Sequence, residues 1–512
     1  MSNVGKYNSL SYFTEAIVED CGFREYDARW IIEPVDEETS KIQINYRGLQ
    51  KLGKQLGTFL KEPENGNHNA ILVGYDFRKY SENVKNALVI GLLASGLAVY
   101  DVGLCLAPTL YFAQYHYSIP ACAMISASHN PNGWTGVKMG HNYSQTFGPS
   151  RIKSLKKLMD TDDHDLFTGD HAGRYKQIHD CNDQYILDLI KGWSPRFEQL
   201  PRLKVAVETG NGTAGIILPE LLSKLGFDVV PGNVDLDWDY PNFNPNPESI
   251  PFLKALQSLV NSNNADIGIC IDGDGDRIGV VDNQGRIIFN DRIGLLIAKH
   301  IERHHDQCKF VIDVKSTSLF TSELKSEIIW EKTGHSYVKA AVADNEAIAG
   351  FERSGHFFFR PPFGRGYDDS CVAALIVLWI LCEAKSNGKQ LSDLLDELPP
   401  SHQSPNIQPK VSDLIKYKVV DEIHKRIEAI VQEDGIFSGV KIKELMTING
   451  VRISFVDGSW LLIRASSNTP NLVILAESFD KDGSRLKEID TALRNMVADI
   501  KDIGEFGKLY EI

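Results

Sequence analysis

Three times along this chain an apolar, β-rich run ends in a polar or glycine turn and passes into a helical pattern. The runs are ILVGYDFRKYSENV from Ile71, KVAVETGNGTAGIILPELL from Lys204 and KFVIDVKSTSLFTSEL from Lys309. Strands alternating with helices form parallel sheets, because a parallel pair needs a long crossover that a helix supplies. The recurrence is architectural and not residue by residue, as in a repeated α/β unit. At 512 residues the chain exceeds what one core organises, so roughly three or four domains are expected. Beyond about Pro399 the pattern changes. Pro399, Pro400, Pro405 and Pro409 in a polar stretch read as a linker, and VKIKELMTINGVRISFVDGSWLLIRASSN followed by LVILAES alternates like a small α+β module.

Composition bounds the partners. A net charge of −14 repels nucleic acid and anionic membrane surfaces, so an anionic substrate would need a locally basic pocket. The longest uncharged runs, Asn86 to Tyr100 and Ser370 to Cys382, are too short to span a bilayer and read as buried helices. Eight scattered cysteines without a C-x-x-C pair read as reduced, partly buried thiols, and the polar N-terminus has no apolar signal region. Both features point to the cytoplasm.

Several segments carry candidate chemistry. CIDGDGDRIGVV puts Asp272, Asp274 and Asp276 at alternate positions after a short strand, and three such carboxylates repel unless a cation such as Mg2+ sits among them. The alternative is an aspartate-rich turn neutralised by Arg277; an EF-hand is disfavoured by Arg277 at the sixth position and Asn283 at the twelfth. Gly210, Gly212 and Gly215 spell G-x-G-x-x-G, with Asp235 about twenty residues on, which is either a dinucleotide fingerprint or a tight strand-to-helix turn. SASHNPNGWTGVK offers the Ser128 hydroxyl in what reads as an exposed loop, the His129 imidazole and Lys138. The glycine-punctuated WEKTGHSYVK and GFERSGHFFF bear His335, Glu352, Ser354 and His356, and a carboxylate beside a serine suits sugar hydroxyls. LLIRASSNTPNLVI gathers Arg464, Ser466, Ser467, Asn468 and Thr469 between two strands, where a phosphate would fit; a plain hairpin is the alternative.

In this order the segments resemble the α-D-phosphohexomutase superfamily, closest to its bacterial phosphomannomutase/phosphoglucomutase branch, over nearly the whole chain. Ser126 to Pro131 match the family's serine loop, Asp272 to Arg277 its D-x-D-G-D-R loop, and Glu352 to His356 its G-E-x-S-G-H loop, with Phe351 in place of the leading glycine. The resemblance makes Ser128 the phosphoryl carrier and, with the three aspartates, a Mg2+ ligand. It gives Lys315 and His335 to proton transfer, and lines the substrate site with Tyr26, Arg29, His129, Lys138, Arg277, Glu352, Ser354, His356 and the Arg464 to Thr469 loop. Two departures stand out. Ser467 and Asn468 follow Arg464-Ala-Ser466 where R-x-S-[NG]-T is usual, and Trp30 stands where a glycine usually follows the REYDAR segment.

The implied fold is α/β: three similar α/β domains with mixed sheets (1–180, 181–285 and 286–402) and a smaller C-terminal α+β domain (403–512) around a central cleft. The implied reaction interconverts hexose 1-phosphate and hexose 6-phosphate, of mannose, glucose or both, through phosphoserine and a bisphosphorylated sugar, with hexose 1,6-bisphosphate as activator. Phosphoglucosamine mutase, a Ser/metal phosphatase and an NAD-dependent dehydrogenase are the alternatives, and monomer and dimer stay open.

Overall fold

A computed structural model describes residues 10–34, 41–161 and 172–510. The recurring runs become the first parallel strands of three sheets with one wiring; in the first sheet Ala28–Ile31 also pairs antiparallel with Trp134–Asn142. In the first, Ala70–Tyr75 lies between two parallel partners, Ala98–Leu104 and Cys122–Ile125, and the latter pairs antiparallel with Trp134–Asn142. In the second, Lys204–Glu208 lies between Asp228–Gly232 and Ile267–Ile271, and the latter pairs antiparallel with Ile278–Asp282. In the third, Lys309–Asp313 lies between Glu327–Glu331 and Ala349–Phe351, and the latter pairs antiparallel with Phe357–Phe359. Each unit therefore offers two turns at the carboxyl ends of its parallel strands, where open α/β sheets bind ligands. One turn follows the first strand and the other closes the third-to-fourth hairpin.

The fourth unit is an antiparallel sheet in the order His402–Gln403, Leu472–Ser478, Trp460–Ala465, Val451–Phe455, Val440–Met446, Ile436–Phe437. Helices Lys416–Glu433 and Ser484–Val497 cover one face through Ile423, Ile427, Ile489 and Leu493. Its other face presents Trp460, Leu462, Val473 and Leu475 to Val314 of the third unit. The apolar core is continuous across units, running from Leu110 and Tyr111 through Leu218 and Ile269 to Phe310 and Leu375.

Two expectations change. The proline-rich stretch is no free linker: His402 and Gln403 pair with Ser478 and Glu477, and Ile407 and Lys410 bridge to Ile474 and Asn471. Proline is tolerated there because an edge strand needs hydrogen bonds on one side only. The uncharged run from Asn86 to Tyr100 is not one helix. Helix Ser81–Ala94 stops before Gly96, whose φ of +90° suits glycine, and strand Ala98–Leu104 follows. Ser370 to Cys382 does lie in a buried helix, Ser370–Ser386. The cysteines are all unpaired; Cys21 is exposed and the other seven are buried. Among the described residues no helix is long and apolar enough to cross a membrane.

Candidate active site

The three hairpin turns bear the serine, the aspartates and the sugar-type loop: Ser128 follows Cys122–Ile125, Asp272 to Arg277 follow Ile267–Ile271, and Glu352 to His356 follow Ala349–Phe351. They converge on one cleft. It is lined by Tyr26, Arg29, Ser128, His129, Lys138, Arg277, Lys315, His335, Glu352, Ser354, His356, Arg464, Ser466, Ser467, Asn468 and Thr469. The three aspartates are fully buried against Ser128, Lys138 and Arg277.

Ser128 is 2% exposed, so its hydroxyl is not the exposed one expected, although Pro131 in the same loop is exposed: Asp272 and Arg277 of the second unit close over the hydroxyl. Its backbone is left-handed, at φ +51°, with its N–H donating to Ser126 Oγ at 2.7 Å. Ser126 Oγ in turn donates to Asp274 at 2.8 Å. The Ser128 hydroxyl donates to Asp272 Oδ2 at 3.0 Å and accepts from Arg277 Nη2 at 3.1 Å. Asp272 Oδ1 accepts the backbone N–H groups of Gly275, Asp276 and Arg277, which fixes the turn. Burial, with Asp276 and Asp274 beside it, pushes Asp272 up to about 7. Lys138 Nζ is 2.6 Å from Asp274 Oδ2 and also contacts Asp276. Among the described residues Asp274 Oδ1 and Asp276 Oδ1 are buried with no hydrogen-bond partner, and one oxygen from each aspartate lies within 4.8 Å of the others. Convergent, unsatisfied carboxylate oxygens are what a hard divalent cation requires.

Across the cleft, Glu352 Oε2 accepts from Ser354 at 3.0 Å while Oε1 has no partner, and burial pushes the carboxyl up to about 7. Both ring nitrogens of His335 lack hydrogen bonds, and burial holds the ring neutral, well below its usual value. Lys315 sits in the turn after the third unit's first strand, 5% exposed. From the fourth unit, Arg464 Nη2 donates to Ser467 at 3.0 Å, leaving Nε buried and unpaired. Ser466 Oγ accepts the N–H groups of Asn468 and Thr469 at 3.4 and 3.2 Å. The unusual Ser467-Asn468 pair has defined partners, since Asn468 Nδ2 donates to Tyr26 Oη at 3.3 Å. Trp30 leaves Arg29 undisturbed because strand alternation turns the two to opposite faces. The indole packs on Gly22 and donates to the Glu19 carbonyl at 2.8 Å, while Arg29 reaches Asp27 at 2.8 Å and Asn130 at 2.6 Å. Phe351 is buried among Phe320, Phe357 and Gly294.

The glycine run from Gly210 to Gly215 forms a tight strand-to-helix turn. Four of its N–H groups are used within the unit: Gly210 donates to Glu208, Asn211 to Asn233, Gly212 to Thr209 and Gly215 to Gly212. Its backbone packs on the aspartate loop, where a Cβ on Gly212 would sit 3.3 Å from Gly273 Cα. Three contributors have no counterpart in the sequence reading. Arg78, salt-bridged to Asp76, donates to the carbonyls of Ser128, Asn130 and Pro131. Asp368 pairs with Lys339 at 2.7 Å and His356 at 3.1 Å, and lies 3.9 Å from His335. Glu25 accepts from Tyr337 at 2.8 Å and Tyr417 at 2.6 Å, tying the first unit to the third and fourth. The D-x-R at Asp76 to Arg78, in a turn equivalent to that of Lys315, is the one local signal that singles out any of them.

Comparison with known proteins agrees with this architecture. Residues 21–165, 183–285 and 289–402 match the models of phosphoglucomutase/phosphomannomutase alpha/beta/alpha domains I, II and III, and residues 407–496 match that of the C-terminal domain. The phosphomannomutase/phosphoglucomutase of Pseudomonas syringae pv. tomato is 31% identical over 466 residues, covering 90% of this chain and 92% of that protein. The phosphoglucomutase of Neisseria gonorrhoeae is 32% identical over 412 residues, covering 80% and 84%. The crystal structure of a phosphoglucomutase/phosphomannomutase family protein from Burkholderia thailandensis superposes with a TM-score of 0.80 at 28% identity, covering 96% of this chain and all of that one. The wiring of four units, the shared cleft and relatives spanning nearly its whole length together make this chain a member of the phosphoglucomutase/phosphomannomutase family.

Proposed function

We propose that the protein interconverts hexose 1-phosphate and hexose 6-phosphate, of glucose, mannose or both, through phosphorylated Ser128. One observation carries the reading: a serine hydroxyl set against buried carboxylates faces the same cleft as a separate anion-binding loop around Arg464. A mutase needs both, one position for the phosphoryl group in transit and one for the phosphate at rest. A phosphatase needs only the first.

The Ser128–phosphorus bond breaks as the substrate hydroxyl oxygen bonds to phosphorus, and that hydroxyl's proton passes to a base. His335, whose ring nitrogens have no hydrogen-bond partner among the described residues, is the candidate base, and Lys315 supplies positive charge. Asp272, Asp274, Asp276 and Ser128 would hold a divalent cation such as Mg2+, which neutralises charge on the transferring phosphoryl. Arg277 reaches the Ser128 oxygen from the protein side. Glu352 and Ser354 hold sugar hydroxyls, and Arg29, Lys138 and Arg464 provide the positive field that the acidic chain lacks overall. The bisphosphorylated sugar turns round and returns its other phosphate to Ser128, so hexose 1,6-bisphosphate primes the enzyme. Glucose 1-phosphate with Mg2+ and glucose 1,6-bisphosphate should yield glucose 6-phosphate; release of inorganic phosphate instead would make the protein a phosphatase. Kinetics on glucose, mannose and glucosamine 1-phosphates decide the preferred sugar.

A further inference from the structure

On the third unit, away from the cleft, helix Asn290–His304 carries His300 and His304 one turn apart on one face. Their rings lie 4.7 Å apart, centroid to centroid. The facing helix, Ser370–Ser386, brings up Glu383, whose Oε2 is 3.9 Å from His300 Nε2, too long for a hydrogen bond. One ligand atom from each of the three residues lies within 4.8 Å of the others. The His300 side chain is only 7% exposed, yet its Nε2 has no hydrogen-bond partner among the described residues. A buried polar atom left so calls for an explanation.

We propose that His300, His304 and Glu383 bind a transition-metal ion of the Zn2+ class, in a site separate from the aspartate cluster. Two imidazole nitrogens and one carboxylate oxygen suit Zn2+ or Ni2+ and not Mg2+, which asks for oxygen throughout. Trp379 packs edge-on against His300 at 4.6 Å and holds that ring in place. The exposed His304 and the part-exposed Glu383 are free to turn inward, closing the set toward the roughly 3.3 Å ligand spacing of a tetrahedral Zn2+. Three protein ligands leave the fourth position to water. The ion would join two helices that otherwise meet through apolar contacts, so its effect falls on the stability of the third unit and not on phosphoryl transfer.

The test uses the full chain, stripped with chelator and held in excess Mg2+ so that the aspartate cluster is occupied. Zn2+ binding is measured by equilibrium dialysis and Co2+ binding by visible absorption. The expected result is one equivalent with Kd at or below about 10 μM, and a Co2+ band of tetrahedral type. Zn2+ should also raise the melting temperature by mass action. His304→Ala and Glu383→Gln, which alter exposed or part-exposed side chains, should each weaken binding at least about tenfold with mutase turnover unchanged. The proposal is overturned by any of three results: binding only above about 1 mM, binding that both variants leave intact, or binding abolished by Asp274→Asn in their place.

Discussion

Arg78 Nη2 donates to the carbonyl oxygen of Ser128 at 2.7 Å. The same guanidinium takes the carbonyls of Asn130 and Pro131, so one side chain from the turn after Ala70–Tyr75 fixes the backbone of the turn that bears Ser128. Lysine has no planar fork to span three carbonyls. Arg78→Lys is therefore expected to lower kcat by roughly a hundredfold, the effect of an ångström-scale misplacement. KM should hold, because Arg78 does not line the cleft. Steady-state kinetics with glucose 1-phosphate check this; kcat within about twofold of wild type would remove Arg78 from the positioning of Ser128.

Ser128→Ala should abolish both turnover and the phosphate adduct seen by intact mass after incubation with glucose 1,6-bisphosphate. The hydroxyl is buried and bonds Asp272 and Arg277, so its removal should also cost about 1 kcal/mol in urea unfolding. Normal turnover by the variant would exclude the phosphoserine route.

Arg464→Lys should raise KM and lower kcat together, for a fall in kcat/KM of at least roughly tenfold through loss of one or two charge-assisted bonds. Among the described residues the guanidinium engages only the Ser467 side chain, which leaves donors for a ligand. Urea midpoints should stay near wild type. A kcat/KM within about twofold would leave the loop a plain hairpin.

Glu25→Gln tests the latch. Its two carboxylate oxygens accept one hydroxyl each, from Tyr337 and Tyr417, and an amide has a single accepting oxygen, so one of the two hydroxyls loses its acceptor. Weakening this tie between the units by about 1 kcal/mol should raise KM roughly fivefold while kcat holds or rises. Small-angle scattering should report a larger average radius of gyration; an unchanged KM and radius would mean that the contact does not hold the units around the cleft.

Most of the fold was legible because each unit announces itself through local pattern: an apolar strand, a turn with polar residues, a helical run. The hairpin turns of Ser128, Asp272 and Glu352 carry unusual residue combinations within a few positions, which a linear reading can see. Arg78 and Asp368 were hidden because their partners are distant in sequence. Asp368 was further masked by Asp369, whose side chain accepts from Val372 N–H and makes the acidic pair look like an ordinary helix start. The stretch around Pro405 and Pro409 misled because proline erases the strand signal even where an edge position tolerates it.

The hairpin turns belong to three separately wired sheets, so the parts of the site have different mechanical origins. All three aspartates come from one turn, and their mutual spacing is a local property of that turn. The distance from Ser128 to Glu352 instead depends on how whole units are seated, through buried seams such as Tyr185 to Asp369 at 2.8 Å. The three carboxylates' hold on a cation and the seating of the sugar loop are therefore separable loads. A change buried in such a seam, touching neither substrate nor metal, would leave the aspartate turn intact while the sugar drifts out of line with Ser128.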